Sequence, residues 1–571
     1  MSLARSLAVL FVSLTAAALW TPQVEARDVT FQRLKAVDAE PQNWLMVHRT
    51  YAATRYSPLD LINRDNARNL RLAFTLALGG AQASENFPNS AMEASPLIED
   101  GFLYATDGWS NVYKIDVTSG TQGKIVWKTD PGIDKTEVPL PVNRGVALYR
   151  DMVVELTGDG RIVGMAKRTG RVLFDVSIRT SPLEAFTLAP LVVKDKLIVG
   201  ASGGDFGARC WIAAFDLKTR KIAWRWYVVP KPGEPGSETW KDDTENWKKG
   251  GGAIWTTGAY DPATNLLFWG TGNPNKANDS AGRKGDNLYT DSTVALDADT
   301  GKLKWHFQYT PNDPFDFDEV GSQMLVETVI DGKPTKVLSH FGRNGFYYNL
   351  DQKTGRFLSG SAYTEQLNWS RGLDPKTGKP LEYDPSKDIQ TYAVQPQRDQ
   401  GAVHVCPEQR GGVNYWPPAY SPLTKLTYAG TWEGCHELTV QPEKFMGGTI
   451  TDKARVTGSV TAVNPSTAQV ALRRLSSYPN TAGAVTTGGH LVVTAFQDGT
   501  IEVLDDETLK PLYSFNVGTF IGAPPVVYAV GGKQYIAIIT GGGLAPSLIG
   551  PYANKESFVL ESVPTLLVFS L

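Results

Sequence analysis

The sequence predicts an all-β protein built as an eight-bladed β-propeller, and three observations predict it. Glycine (55), proline (35) and aromatic residues (10%) are abundant, as in turn-rich β proteins. No stretch sustains a helical period. A hairpin signature recurs: a β-rich run, an acidic or polar turn with Thr and often Gly, then a second strand that often carries an aromatic.

The clearest copies are VYKIDVTSGTQGKIVWKTD from Val112, IVGMAKRTGRVLFDV from Ile162, WIAAFDLKTRKIAWRWYV from Trp211, TVALDADTGKLKWHFQY from Thr293 and FYYNLDQKTGRFLSG from Phe346. Weaker copies are VTAVNPSTAQVALRRL from Val460 and IEVLDDETLKPLYSFNV from Ile501. Their turn residues, Asp116, Ala166, Asp216, Asp297, Asp351, Asn464 and Asp505, are spaced by 50, 50, 81, 54, 113 and 41. That is a blade period with two insertions. The insertions, after Asp216 and after Asp351, are expected to carry loops of the functional face. An eighth blade is expected to close from N-terminal strands around VTFQRL and the C-terminal TLLVFSL. Trp127, Trp224 and Trp305 follow the turns and read as inter-blade packing.

Residues 1–26 read as a secretory signal peptide: Arg5, the apolar core LAVLFVSLTAAALW, and VEA before Arg27. The alternative is an uncleaved anchor, but the apolar run is short of the roughly 20 residues that cross a bilayer. Residues 27–571 are then one propeller domain, exported to a periplasm or beyond, with no membrane span. Cys406 and Cys435 are candidates to pair across a long loop in an oxidising compartment, with Cys210 left over and buried.

Composition and motifs exclude several functions. The formal net charge is −3 with no basic run, so no nucleic-acid partner is indicated. GASGG at Gly200–Gly204 mimics a nucleophile elbow but leads into a strand rather than a helix. DFG at Asp205–Gly207 lacks the other kinase motifs. The six histidines show no zinc spacing, and no C-x-x-C-H is present for covalent haem. Oxygen donors remain, which point to a hard cation. The densest is NDPFDFDE, Asn312–Glu319, with Asp313, Asp316, Asp318 and Glu319 around Phe315 and Phe317.

Several long motifs in order resemble the pyrroloquinoline quinone (PQQ)-dependent alcohol dehydrogenases, the quinoprotein dehydrogenases of methanol and ethanol dehydrogenase type. They are RYSPLDLINRDNARNLRLAF, GGGAIWTTGAYDPATNLLFWGTGNP, GDNLYTDSTVALDADTGKLKW, NDPFDFDE, GRNGFYYNLD and GGVNYWPPAYSP, running from about Trp44 to near the C-terminus. The resemblance implies an eight-bladed propeller that holds PQQ and one metal ion. The metal acts as a Lewis acid on the quinone C5 carbonyl, and a carboxylate takes the alcohol proton as hydride passes to C5. Electrons then pass to a periplasmic cytochrome c.

Residue by residue, the resemblance makes Asp316 the catalytic base and Asn273 a metal ligand. Asp205 in SGGDFG stands where the family usually has Glu, one methylene shorter. Asp318 matches the extra acid of the lanthanide-using branch. Asp205, Asp316 and Asp318 with Asn273 form the implied metal set, and their three negative charges favour lanthanide(III) over Ca²⁺. Implied quinone contacts are Glu93, Arg144, Thr187, Ser202, Arg343 and Asn414, with Trp255 stacking under the ring. Strand-like alternation would put Asp316 and Asp318 on one side and Phe315 and Phe317 on the other, with Asp313 and Glu319 at the rim. One departure stands out: Val138 and Pro139 occupy the positions of the family's vicinal cysteines. An apolar cap is expected there, loosening the pocket roof for bulkier substrates. Competing readings are a non-catalytic propeller scaffold and a sugar or polyol dehydrogenase on the same fold.

Overall fold

The computed structural model describes residues 27–79, 91–241, 245–451, 456–542 and 563–571. Residues 1–26, read above as a signal peptide, lie outside the described residues. Among the described residues the one α-helix is Phe31–Lys35, and nearly all other regular structure is strand.

Seven antiparallel four-strand meanders follow one another along the chain, and Tyr56–Ser57 adds a fifth, parallel strand to the edge of the last of them. They open with Leu97–Glu99, Ala147–Tyr149, Leu191–Val193, Ala259–Asp261, Met324–Ile330, Ala419–Ser421 and Asn480–Thr487. An eighth sheet is made from both ends of the chain: Val526–Val530, Lys533–Thr540, Thr565–Ser570 and then Arg71–Ala77. The last pair runs antiparallel, from Arg71 opposite Ser570 to Ala77 opposite Thr565. The two ends of the chain thus share a sheet, but with a different N-terminal strand from the one expected. Most of VTFQRL forms the short helix capped by Thr30, and Val29 makes only an isolated bridge to Arg150. The closing strand instead lies in RLAFTLA.

The repeated turn joins the third and fourth strands of each of the seven meanders. Its first side chain closes it: Asp116 Oδ1 accepts from the Thr118 N–H at 2.9 Å, Asp297 Oδ1 from Thr300 N–H at 3.1 Å, and Asp351 Oδ1 from Thr354 N–H at 2.8 Å. Four residues on, the backbone is left-handed in every copy. Glycine supplies this at Gly120, Gly170, Gly301 and Gly355, while Arg220, Ala468 and Leu509 adopt it at φ 57°, 57° and 56°. The copies without Gly are thus equal in structure to those with it. A register shift also falls in the two residues before each turn residue, as at Lys114/Ile115, Ala295/Leu296 and Val503/Leu504.

The tryptophans after the turns tie one sheet to the next. Trp127 donates its indole N–H to the Lys167 carbonyl at 3.0 Å, and Trp224 does so to the Ala298 carbonyl at 3.1 Å. Trp224 lies flat enough on Gly301 that a Cβ there would meet its ring at 2.4 Å, and Trp305 covers Gly355 in the same way. These residues are packing elements, as expected. Trp224→Phe keeps most of the apolar contact and loses the hydrogen bond. It is expected to destabilise the protein by about 1–2 kcal/mol, read as a lower urea midpoint; an unchanged midpoint would mean that the indole bond contributes nothing.

The two insertions carry three of the candidate site residues named above. The one after Asp216 carries Trp255 and Asn273, and the one after Asp351 carries Asn414. The latter also contains a three-stranded sheet of Val403–Val405, His436–Val440 and Gly448–Thr451. The Cys406–Cys435 disulfide anchors it, and Cys210 is free and buried. No helix among the described residues is long and apolar enough to cross a membrane.

Candidate active site

The acidic stretch is buried, and it is a loop rather than a strand. Asp316 sits at φ 68°, a left-handed conformation that costs on the order of 1–3 kcal/mol for a non-glycine residue. Asp313 supports it. Its carboxylate accepts from the N–H groups of Phe315 and Phe317, both at 2.9 Å. Phe315 and Phe317 stack with centroids 5.0 Å apart and pack against Trp369 at 5.4 and 5.6 Å. The separation of acids from phenylalanines holds, but the Asp313 turn produces it, not strand alternation. Asp313 and Glu319 are not rim residues; both are fully buried. Glu319 Oε2 pairs with His340 Nε2 at 2.8 Å and accepts from the Arg343 N–H at 3.0 Å.

Asp205, Asn273, Asp316 and Asp318 come together around Arg343. Arg343 Nη1 donates to Asp318 Oδ2 at 2.6 Å and Nη2 to Asp316 Oδ2 at 3.3 Å. Asp318 Oδ1 accepts from the Asn273 backbone N–H at 2.8 Å. Asn273 Nδ2 donates to Asp205 Oδ1 at 2.9 Å and to the Pro274 carbonyl at 3.0 Å, which leaves the amide oxygen for another partner. Gly272 in GTGNP has no room for a side chain: a Cβ would meet Asp318 Oδ1 at 2.2 Å.

Burial dominates the electrostatics. It pushes the Asp205 carboxyl up to about 6, with Asp318 adding to the rise and Asn273 opposing it. Asp316 is raised well above the usual carboxylate range, by burial first, against the pull of Arg343 and with repulsion from Asp205 and Asp318. Asp291 is raised likewise, by burial and then Asp313 and Asp318, and neither of its buried oxygens has a hydrogen-bond partner. Asp205, Asp316 and Asp318 share Arg343 as their cation and Arg283 faces Asp291 and Asp313, so the acids outnumber the arginines and form a site for added positive charge.

A second group surrounds Arg144. Its Nη2 pairs with Glu93 Oε2 at 2.6 Å, and Nη1 donates to Thr187 Oγ1 and the Trp255 carbonyl, both at 2.9 Å. The guanidinium lies 5.0 Å from the Trp255 ring centre and 4.9 Å from that of Tyr415. The two groups are stitched together by the segment bearing Trp255. Ala253 accepts from Gly272 N–H at 2.9 Å, Ile254 N–H donates to Ala201 at 3.1 Å, and Thr256 donates to the Val320 carbonyl.

Of the other expected quinone contacts, Ser202 and Asn414 turn their side chains toward backbone. Ser202 Oγ donates to the Ala185 carbonyl at 2.8 Å, and Asn414 Nδ2 to the Arg410 carbonyl at 2.9 Å. Sequence reasoning missed Tyr415, His340, Asp291 and the partners of Glu319. Glu319 and Asp313 carried a readable signal, since acids beside two apolar rings have no reason to lie in a solvated loop. The His340 pairing joins residues 21 apart through the fold and left none.

The chain matches the PQQ family described as glucose/ethanol/alcohol dehydrogenase, β-propeller domain, over residues 44–360. It is 33% identical to the dehydrogenase subunit of the quinone alcohol dehydrogenase of Gluconacetobacter polyoxogenes, covering 96% of this chain and 78% of that one. Identity to the quinoprotein alcohol dehydrogenase PedH of Pseudomonas putida is also 33%, over 88% and 86% of the two chains. Among solved structures, the quinohemoprotein alcohol dehydrogenase ADHIIG of Pseudomonas putida HK5 superposes with a TM-score of 0.85 at 30% identity, covering 96% of this chain and 82% of that one. A europium-containing methanol dehydrogenase does so with a TM-score of 0.82 at 28% identity, covering 95% of this chain and all of that one. A β-propeller fold, a buried carboxylate cluster with its arginine, and these matches along nearly the whole chain agree: the protein belongs to the PQQ-dependent quinoprotein alcohol dehydrogenases.

Proposed function

We propose that the chain is a periplasmic dehydrogenase that oxidises an alcohol to an aldehyde or ketone, with Asp316 as base, and passes the electrons to a cytochrome c. The seven meanders and the sheet shared by the chain ends are, in this reading, its eight blades. The observation that carries the proposal is the fork of Arg343 on Asp316 and Asp318 in a buried cluster linked through Asn273 to Asp205.

The residues fit the cofactor and the metal. The orphaned oxygens of Asp291 and Glu319 and the raised acids favour a bound cation near Asp205, Asn273, Asp316 and Asp318. Arg144, Glu93, Thr187 and Trp255 make a cationic, aromatic cradle for a flat anionic ring system, with Ser202 and Asn414 at its edge. When bound, the quinone supplies a two-electron acceptor and the metal a Lewis acid. The chain does the rest. Asp316 Oδ accepts the hydroxyl proton of the alcohol. Arg343 holds that carboxylate and steadies negative charge that develops beside it. Phe315, Phe317 and Trp369 seal the loop behind the base and exclude water.

Three carboxylates sum to −3 and Arg343 offsets one charge. The carboxylates of PQQ add negative charge, so lanthanide(III) is the better match than Ca²⁺; the europium-containing relative supports that preference. Val138 is buried and packs beside Gly158, where a Cβ would meet it at 3.1 Å; in this reading the segment lacking the vicinal cysteines is an apolar cap.

Reconstitution tests the reading. The metal-free protein should gain dye-linked alcohol oxidation with PQQ plus La³⁺, more than with Ca²⁺, across a panel that includes bulky alcohols, sugars and polyols. No quinone binding and no turnover under any metal would leave the non-catalytic scaffold. Oxidation confined to sugars or polyols would replace the alcohol, and Ca²⁺-only activity would end the lanthanide preference.

A further inference from the structure

We propose that His436 is a positioning residue for Arg343 and acts through the backbone of Gln409; the proposal rests on the role given to Arg343 above. A guanidinium is planar and presents its N–H groups as a rigid fork. Fixing one nitrogen therefore fixes where the others point. Two arms of Arg343 reach Asp318 and Asp316, and the third, Nε, donates to the Gln409 carbonyl at 2.7 Å. The position of that one carbonyl sets the plane of the fork.

Gln409 is also held through its other backbone group, across its Cα. Its N–H donates to His436 Nδ1 at 3.1 Å. Around it, the Glu408 N–H donates to the Gly434 carbonyl at 2.9 Å and the Gly412 N–H to the Arg343 carbonyl at 3.2 Å. The Cys406–Cys435 disulfide joins the same two segments one residue before His436. At Gly411 the segment presses on Arg343 so closely that a Cβ would meet its Cγ at 2.1 Å, leaving no room to slide.

The choice of histidine needs this contact. His436 is 1% exposed, and its Nε2 has no hydrogen-bond partner. Burial lowers its pKa to about 4, so the ring is neutral at neutral pH with the Nδ1 lone pair free to accept. A buried imidazole with one of its two nitrogens unsatisfied costs more than an apolar side chain of like size. The bond to Gln409 is what offsets that cost, and its consequence reaches the site through Arg343. The His436 ring is hydrogen-bonded to the Gln409 backbone and to none of Asp205, Asn273, Asp316 or Asp318.

The test compares wild type with His436→Ala, His436→Asn, Arg343→Ala and the double variant His436→Ala/Arg343→Ala, each loaded with PQQ and metal. An asparagine offers an acceptor oxygen at the reach of Nδ1. His436→Ala should lower kcat by about 10–100-fold with KM changed less than about 3-fold, and His436→Asn should restore most of it. In the Arg343→Ala background, His436→Ala should cost nothing further. A Tb³⁺ luminescence titration of the cofactor-free proteins gives a readout apart from turnover: His436→Ala should bind the ion within about 3-fold of wild type, since Asp205, Asn273 and Asp318 are untouched. Additive losses in the double variant would overturn the proposal, as would wild-type turnover in His436→Ala. So would a joint collapse of kcat, KM and Tb³⁺ affinity, which marks general loosening. Wild-type turnover in Arg343→Ala would remove the role of Arg343 itself, and the proposal with it.

Discussion

Asp316→Asn is expected to lower kcat by about 10²–10⁴-fold, the range supplied by a positioned general base, while PQQ still binds. The substitution is nearly isosteric, so the left-handed backbone at φ 68° and the Phe315–Phe317 stack should survive. Asparagine tolerates that backbone about as well as aspartate. An amide cannot take the hydroxyl proton at neutral pH. It also removes one negative charge from a cluster in which Asp205, Asp318 and Asp316 repel one another, so the fold should not suffer. Arg343 keeps its shorter contact, the 2.6 Å bond to Asp318. Quinone binding followed by its absorbance, beside single-turnover kinetics, separates binding from chemistry. Retained single-turnover oxidation would take the base role away from Asp316. Loss of quinone binding instead would recast Asp316 as a structural ligand.

The architecture was largely legible because the repeat writes itself in local chemistry. An Asp or Asn that closes a turn on its own backbone, a left-handed position four residues on, and an aromatic after it are each visible in one sequence. The sequence points to the wrong N-terminal strand because Arg71–Ala77 and Thr565–Ser570 pair from opposite ends of the chain and carry no turn between them. Nothing local distinguishes that strand from VTFQRL. The site was legible in its residue types and in their grouping. Its wiring was not. That Asp313 caps two N–H groups, that Glu319 pairs with His340, and that Gln409 holds Arg343 are contacts across 2 to 66 residues that have no periodic trace. Asp313 and Glu319 were placed at the rim because an unpartnered acid in sequence reads as solvated. Burial with a partner reverses that reading, and only the fold supplies the partner.

Asp318→Ala is expected to shift metal preference away from trivalent ions. In the structure both Asp318 oxygens are engaged, Oδ1 by the Asn273 N–H and Oδ2 by Arg343. The carboxylate therefore does two jobs: it holds the backbone of one proposed ligand, Asn273, and offsets Arg343 beside another, Asp316. Removing it takes one negative charge from the set and leaves Arg343 with its 3.3 Å contact to Asp316 as the remaining partner there. A 3+ ion loses more Coulomb attraction from that change than a 2+ ion at the same distance. La³⁺ affinity should fall by about 10–100-fold, the scale of losing a ligand-orienting group, while Ca²⁺ affinity falls less, so the ratio of the two moves toward Ca²⁺. Asp318→Asn separates charge from shape. It keeps an acceptor for the Asn273 N–H, so the part of the loss that it reproduces is electrostatic. Titration with each ion in the presence of PQQ reads both affinities. Equal losses for La³⁺ and Ca²⁺ would show that Asp318 shapes the site without selecting charge, and an unchanged La³⁺ affinity would remove Asp318 from the metal site altogether.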